Sequence, residues 1–193
     1  MQLVLASRNA SKIREIRSML SDLPILVQGL GEVGPVPEVE EDGATYEANA
    51  AKKALTAAQM LGTWALADDS GLEVDALGGD PGVNSARYAP TDPERIRKLL
   101  KAMAGTENDR RRARFVAVFV LAGPEGVVAT TRGECEGLIT EEPRGSNGFG
   151  YDPVFLYPQA GRTFAELTAR EKNAVSHRYR ALEKMHEVLR SMV

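Results

Sequence analysis

The chain has 193 residues, with 24 basic and 27 acidic side chains and a formal charge of −3. That length suits one domain, whether simple or two-lobed, and the acidic balance argues against a nucleic-acid partner or an anionic-membrane surface. One cysteine, Cys135, rules out an internal disulfide and fits a reducing compartment; with only His177 and His186 beside it, a structural zinc site is not expected, and any metal should be a hard ion held by oxygen.

Residues 1–6 form a short, mostly apolar run that is too short for a signal peptide and lacks a basic n-region. No apolar run reaches membrane-spanning length, so a cytoplasmic protein with no membrane partner is expected. Residues 3–6 read as a buried strand, followed by a polar turn and a helix whose inner face carries Ile13, Ile16, Met19 and Leu20. Pro24 and residues 29–37 break the pattern, and residues 38–42 form an acidic run. Thr45 is placed to cap a helix with an inner side of Tyr46, Ala50, Ala54, Ala57, Ala58 and Leu61.

Residues 64–67 are strand-like and run into Asp68-Asp69-Ser70-Gly71, after which Leu72, Val74 and Ala76 alternate with Glu73 and Asp75 as in a half-buried strand. Residues 78–82 read as a loop. Asp92-Pro93-Glu94 reads as cap, proline and acid at a helix start, with Ile96, Leu99, Leu100 and Met103 facing inward and Gly105 ending the helix. Residues 115–121 form an apolar strand, and Pro124-Glu125-Gly126 turns into a second strand from Val127. Residues 142–153 are rich in glycine and proline. Thr168-x-x-Glu171 matches a capping box from which one helix runs towards the C-terminus. Early alternation and a late hairpin predict an α/β fold with a mixed sheet over residues 1–193.

Four patches carry chemistry. Ser7-x-Asn9-x-x-Lys12 lies between a strand and a helix, where backbone N–H groups and the helix dipole attract phosphate. Taken alone it reads more plainly as a capped helix with a solvated lysine, and it lacks the glycines of a P-loop. Glu38, Glu40, Glu41 and Asp42, with Asp68 and Asp69, could share a magnesium ion from two segments, the plainer alternative being a solvated loop and an aspartate capping a turn; the aspartates are the sharper signal, since they follow an apolar strand, where α/β proteins place ligand groups. Lys52 and Lys53 lie in the helix between these clusters, where exposed lysines are common and need no ligand to explain them. The run at residues 110–114 is read as a solvated strand entry and not a nucleic-acid surface, since no aromatics interleave it. In Gly148-Phe149-Gly150-Tyr151-Asp152-Pro153 the glycines allow close backbone approach and an exposed aromatic could stack on a base; a turn with its aromatics in the core is an equal alternative. In Glu171-Lys172-Asn173-Ala174-Val175-Ser176-His177-Arg178, Arg178 falls within the inner stripe of Val175, Tyr179, Leu182, Met185, Leu189 and Met192, so its charge requires an anion or a strong acceptor; a paired core arginine and a helix that starts later, near Ser176, are the plainer alternatives, and either leaves Arg178 needing a partner.

These patches, with Leu77-Gly78-Gly79-x-Pro81-Gly82 and Ser85-Ala86-Arg87-Tyr88, resemble in their order the inosine triphosphate pyrophosphatase (Ham1-like) family over essentially the whole chain. The resemblance implies an elongated mixed sheet flanked by helices, two lobes with a cleft between them, and a homodimer. It implies magnesium-dependent hydrolysis of non-standard purine triphosphates (ITP, dITP and XTP) to the monophosphate and pyrophosphate. By the same resemblance Ser7, Arg8, Asn9, Ala10, Ser11 and Lys12 hold the triphosphate with Lys52. Glu40 and Asp69 bind magnesium, Asp69 also being the proton acceptor, and Glu41 is a close rival to Glu40. Ser70, Phe149, Gly150, Tyr151, Asp152 and Lys172 contact the nucleotide, and His177 and Arg178 read the base. The chain departs from the family at Asn84, where an aromatic is common, and in a short stretch after Tyr88.

Overall fold

A computed structural model describes residues 1–193, except for the side chain of Ser11. Seven strands form one sheet in the order β2-β1-β3-β4-β5-β6-β7, namely β1 (Gln2–Leu5), β2 (Leu26–Gly29), β3 (Trp64–Val74), β4 (Arg112–Gly123), β5 (Gly126–Ile139), β6 (Phe155–Tyr157) and β7 (Arg162–Thr163). β1 pairs in parallel with β2 and β3, whereas β6 pairs antiparallel with β5 and β7. The sheet is therefore mixed, as expected. The helices are α1 (Ala10–Met19), α2 (Leu30–Val33), α3 (Tyr46–Leu61), α4 (Asp92–Ala102), α5 (Ala169–Val175) and α6 (His177–Arg190). No helix of the described residues is long and apolar enough to cross a membrane.

The chain divides into two compact units. The first comprises Met1–Asp69, Ala117–Gly133 and Arg180–Val193, and the second Ser70–Val116 and Glu134–Tyr179. In the first, Leu3, Leu5 and Leu66 pack with Ile16 of α1, with Leu20 just beyond its end, and with Leu182, Met185 and Leu189 of α6. Strand side chains alternate between faces, so Asp68, two residues after Leu66, lies on the α1 side and Asp69 on the opposite one. In the second unit an aromatic cluster anchors the core. Phe155 packs 4.4 Å from Phe115 and 4.9 Å from Phe164 between ring centroids, each such pair adding about 1 kcal/mol beyond area burial.

Capping sets where the helices begin. The Thr45 hydroxyl accepts the Ala48 N–H, and Thr168 forms the expected capping box with Glu171, each cap contributing about 1 kcal/mol. Four expectations are corrected. Residues 29–37 are not all irregular: Gly29 ends β2 at the sheet edge, and Leu30–Val33 forms α2. The acidic pair lies inside β3 and not after it, because both carboxylates have partners that allow burial, and Ala76 belongs to a 3-10 turn, Asp75–Leu77. The N-cap of α4 is Thr91 and not Asp92, since Thr91 shares reciprocal bonds with Glu94. The final helix is broken at Ser176, whose backbone is extended (φ −69°, ψ 152°) and whose hydroxyl accepts the Tyr179 N–H at 3.1 Å.

Candidate functional site

In the first unit, the turn after β1 is built by its own side chains. Ser7 Oγ accepts the Asn9 N–H, and Asn9 Oδ1 accepts the Lys12 N–H, each at 3.2 Å. Asn9 thus caps α1, as the plainer account of this segment holds. Lys12, however, is not merely solvated. Its ammonium lies 2.7 Å from Asp68 Oδ2, and that carboxylate is only 4% exposed. Arg8 and Ala10 are exposed, and an Arg8 Nη2 donates to the Val36 carbonyl. The side chain of Ser11 lies outside the described residues.

The two aspartates of β3 receive different donors. Asp68 faces an ammonium, whereas Asp69, 7% exposed, accepts a 2.9 Å hydrogen bond from the Asn49 amide of α3. The amide donor fixes the orientation of the Asp69 carboxylate. Lys53 donates both to Glu41 and to the Asp68 carbonyl, binding the acidic run to β3. Lys52 pairs with Asp42 at 2.7 Å, and this hydrogen bond holds the Asp42 carboxyl below its usual range. Glu40 is exposed.

Among the described residues no three acidic, histidine or cysteine side chains converge as a ready-made metal cage. Magnesium rarely uses one: it takes one or two carboxylates, keeps waters and completes its shell with substrate phosphate oxygens. An oxygen-only donor set of Asp69 and a carboxylate of the acidic run fits that ion.

In the second unit, Phe149 is 54% exposed and borders two cations. Lys172 Nζ lies 4.7 Å and Arg178 Cζ 5.6 Å from its ring centroid, within cation–π range. Asp152 is buried and organises this group: its Oδ2 accepts the Phe149 N–H at 2.9 Å and pairs with Lys172 at 2.5 Å. The Gly148 backbone has φ +77°, and a Cβ there would stand 2.0 Å from that same oxygen, so the close approach requires glycine.

Gly150 donates its N–H to Asp92 Oδ2 at 2.8 Å. Tyr151 instead has its ring in the core, its hydroxyl donating to the Ser85 carbonyl at 2.9 Å, and burial pushes the phenol pKa up. Ser70 is half-buried. His177 is buried and stacks on Phe115, with centroids 4.8 Å apart and planes 14° from parallel. Arg178 is buried too, as its place in the inner stripe requires.

The structure thus gathers Phe149, Asp152, Lys172 and Arg178 in one group, and Lys12, Asp68, Asp69 and the end of the acidic run in another. Three partners escaped the sequence reading: Asn49, Lys53 as a tie to the Asp68 main chain, and Asp92 as acceptor for Gly150. Asn49 carried a legible mark, a polar residue beside Ala50 on the inner side of α3.

A family model described as the Ham1 family matches residues 3–188. A protein of Syntrophobacter fumaroxidans named dITP/XTP pyrophosphatase is 56% identical over 183 residues, covering 93% of this chain and 78% of that protein. One of the same name from Desulforamulus reducens is 49% identical over 192 residues, covering 98% of this chain and 96% of that one. The solved structure of a HAM1 protein from Coxiella burnetii superposes with a TM-score of 0.93 at 46% identity, covering 98% of each chain.

Proposed function

The chain belongs to the Ham1 family, and from that premise we propose that it hydrolyses non-standard purine triphosphates (ITP, dITP and XTP) to the monophosphate and pyrophosphate, clearing them from the nucleotide pool. The names of its relatives supply the substrate class. The observation that carries the chemistry is Asp69, a buried carboxylate oriented by an amide while its neighbour Asp68 is matched by Lys12.

In the proposed reaction a water oxygen attacks the α-phosphorus. The bond from that phosphorus to the α–β bridging oxygen breaks, and pyrophosphate leaves with the electron pair. Asp69 accepts the proton of the attacking water. Ser7, Arg8, Asn9, Ala10, Ser11 and Lys12, with Lys52, are assigned to the triphosphate, where the cations stabilise charge as it moves to the leaving group. Asp69 and Glu40 would hold magnesium. Glu41's ion pair with Lys53 favours Glu40 over it as the second ligand. When bound, the ion neutralises phosphate charge and makes water more acidic.

Ser70, Phe149, Gly150, Asp152 and Lys172 are assigned to base and sugar. Tyr151 contributes through the loop it anchors, its own hydroxyl being engaged by Ser85. His177 and Arg178 are assigned to the 6-position of the base: an arginine offers only donors, which satisfy a 6-oxo group and oppose the 6-amino group of adenine. A homodimer and a cytoplasmic location belong to the same proposal, by family resemblance.

The test is a panel of nucleoside triphosphates with magnesium, assayed for pyrophosphate and orthophosphate. ITP and XTP are expected to give pyrophosphate as the first product, well ahead of ATP. Orthophosphate as first product, or equal rates on ATP, overturns the proposal.

A further inference from the structure

Asn49 is buried in the first turn of α3, 1% exposed. Asparagine is a weaker helix former than alanine by roughly half a kcal/mol, and a buried amide without partners costs more still. Here both ends of the amide are used. Oδ1 accepts the Gly43 N–H at 2.8 Å, and Nδ2 donates to Asp69 Oδ2 at 2.9 Å. The partners fix the amide's orientation, since a backbone N–H requires an acceptor and a carboxylate requires a donor. Gly43 directly follows the acidic run at residues 38–42. A Cβ there would stand 2.6 Å from Asn49 Oδ1 and 3.0 Å from the Ala48 Cβ, so the segment lies directly against the helix. One side chain therefore joins the end of the acidic run to the carboxylate of Asp69.

We infer that Asn49 is a positioning residue that sets the spacing between the acidic run and Asp69, and so determines how tightly a divalent cation is held. This rests on the assignment of Asp69 and Glu40 as ligands. The choice of an amide is chemically apt. A lysine at that place would put a positive charge against Asp69, as Lys12 does against Asp68, and so oppose a bound cation, whereas a neutral amide does not. Groups that orient a ligand carboxylate in this way typically account for about 10- to 100-fold in metal affinity or activity.

Two substitutions test the link from its two ends. Asn49→Ala removes both bonds, and Gly43→Ala pushes the acidic run off an intact Asn49. Three readouts are taken on substrate-free protein: the Mn2+ dissociation constant by electron paramagnetic resonance, amide hydrogen exchange at Gly43 without metal, and the thermal midpoint. Each single variant is expected to weaken Mn2+ binding roughly 10- to 100-fold. Gly43 exchange should accelerate in Asn49→Ala, and the double variant should bind Mn2+ no more weakly than Asn49→Ala alone, because both changes break one coupling. Mn2+ binding within twofold of wild type in either folded variant overturns the inference, as does strict additivity in the double variant. If the Mn2+ and exchange results hold while no triphosphate is hydrolysed by wild type, the proposed activity fails and the role of Asn49 stands.

Discussion

Lys172→Met is expected to damage the fold as well as the activity, by an amount that the geometry bounds. Lys172 Nζ sits 2.5 Å from Asp152 Oδ2, and the two side chains are 13% and 3% exposed. Removing the cation leaves a carboxylate in a place that water barely reaches, and breaking a buried pair in this way costs about 3–5 kcal/mol. Asp152 keeps one compensating bond, from the Phe149 N–H, which puts the expected cost at the lower end, about 3 kcal/mol. For a chain of this length each kcal/mol shifts the thermal midpoint by roughly 2–4 °C, so the drop should be roughly 6–12 °C. In the double variant Asp152→Asn/Lys172→Met there is no charge to strand, and the cost should fall to about 1 kcal/mol for the lost packing and hydrogen bond. Urea and thermal unfolding of wild type, both single variants and the double variant provide the cycle. If Lys172→Met unfolds within about 0.5 kcal/mol of wild type, or the double variant is as unstable as Lys172→Met, the pair is not the buried, mutually dependent unit described.

Three further outcomes follow from other parts of the molecule. Arg178→Ala should lower kcat/KM strongly on ITP and little on ATP, because donor-to-oxo recognition can separate such substrates by about 10⁴-fold; an unchanged ratio in a folded variant removes Arg178 from base recognition. Glu171 is held down from 4.5 to about 2, first by its bond to Arg162 and then by Thr168. A depressed carboxyl stabilises the fold above its unfolded value and loses that contribution as pH falls through its folded one, so urea midpoints between pH 4.5 and 2 should decline less steeply in Glu171→Gln than in wild type, and parallel curves would refute this. Gly148→Ala, at φ +77° and with its Cβ 2.0 Å from Asp152 Oδ2, should destabilise by more than 1 kcal/mol, about the least that a non-glycine residue costs in strained backbone; a midpoint equal to wild type contradicts the close approach.

Much of the fold was legible because hydrophobic periodicity and caps report local structure. The inner faces of α1, α3 and α4 emerged as read, and Thr45 and Thr168 cap as expected. What escaped depends on partners distant in sequence. Asp68 and Asp69 look like the end of a strand, because nothing local shows that Lys12 and Asn49 satisfy them inside β3. Leu26–Gly29 is four residues long and forms only as an edge against β1. The apolar stripe continues in phase across Ser176 and favours one unbroken helix, while the observed start of α6 at His177 matches the alternative of a helix beginning near Ser176. At the site, Arg178 was marked by an arginine on an inward face, Phe149 by its glycine-flanked motif, and Lys172 by family resemblance. The burial of Tyr151 matches the core alternative for its loop, while the exposed Phe149 matches the stacking one.

Hydrolysis of ITP in water enriched in oxygen-18, with mass analysis of both products, tests the proposed chemistry at the reacting atom. Attack at the α-phosphorus places the label in inosine monophosphate and leaves the pyrophosphate unlabelled. Label in the pyrophosphate, with unlabelled monophosphate, would place the attack at the β-phosphorus and contradict the mechanism assigned to Asp69.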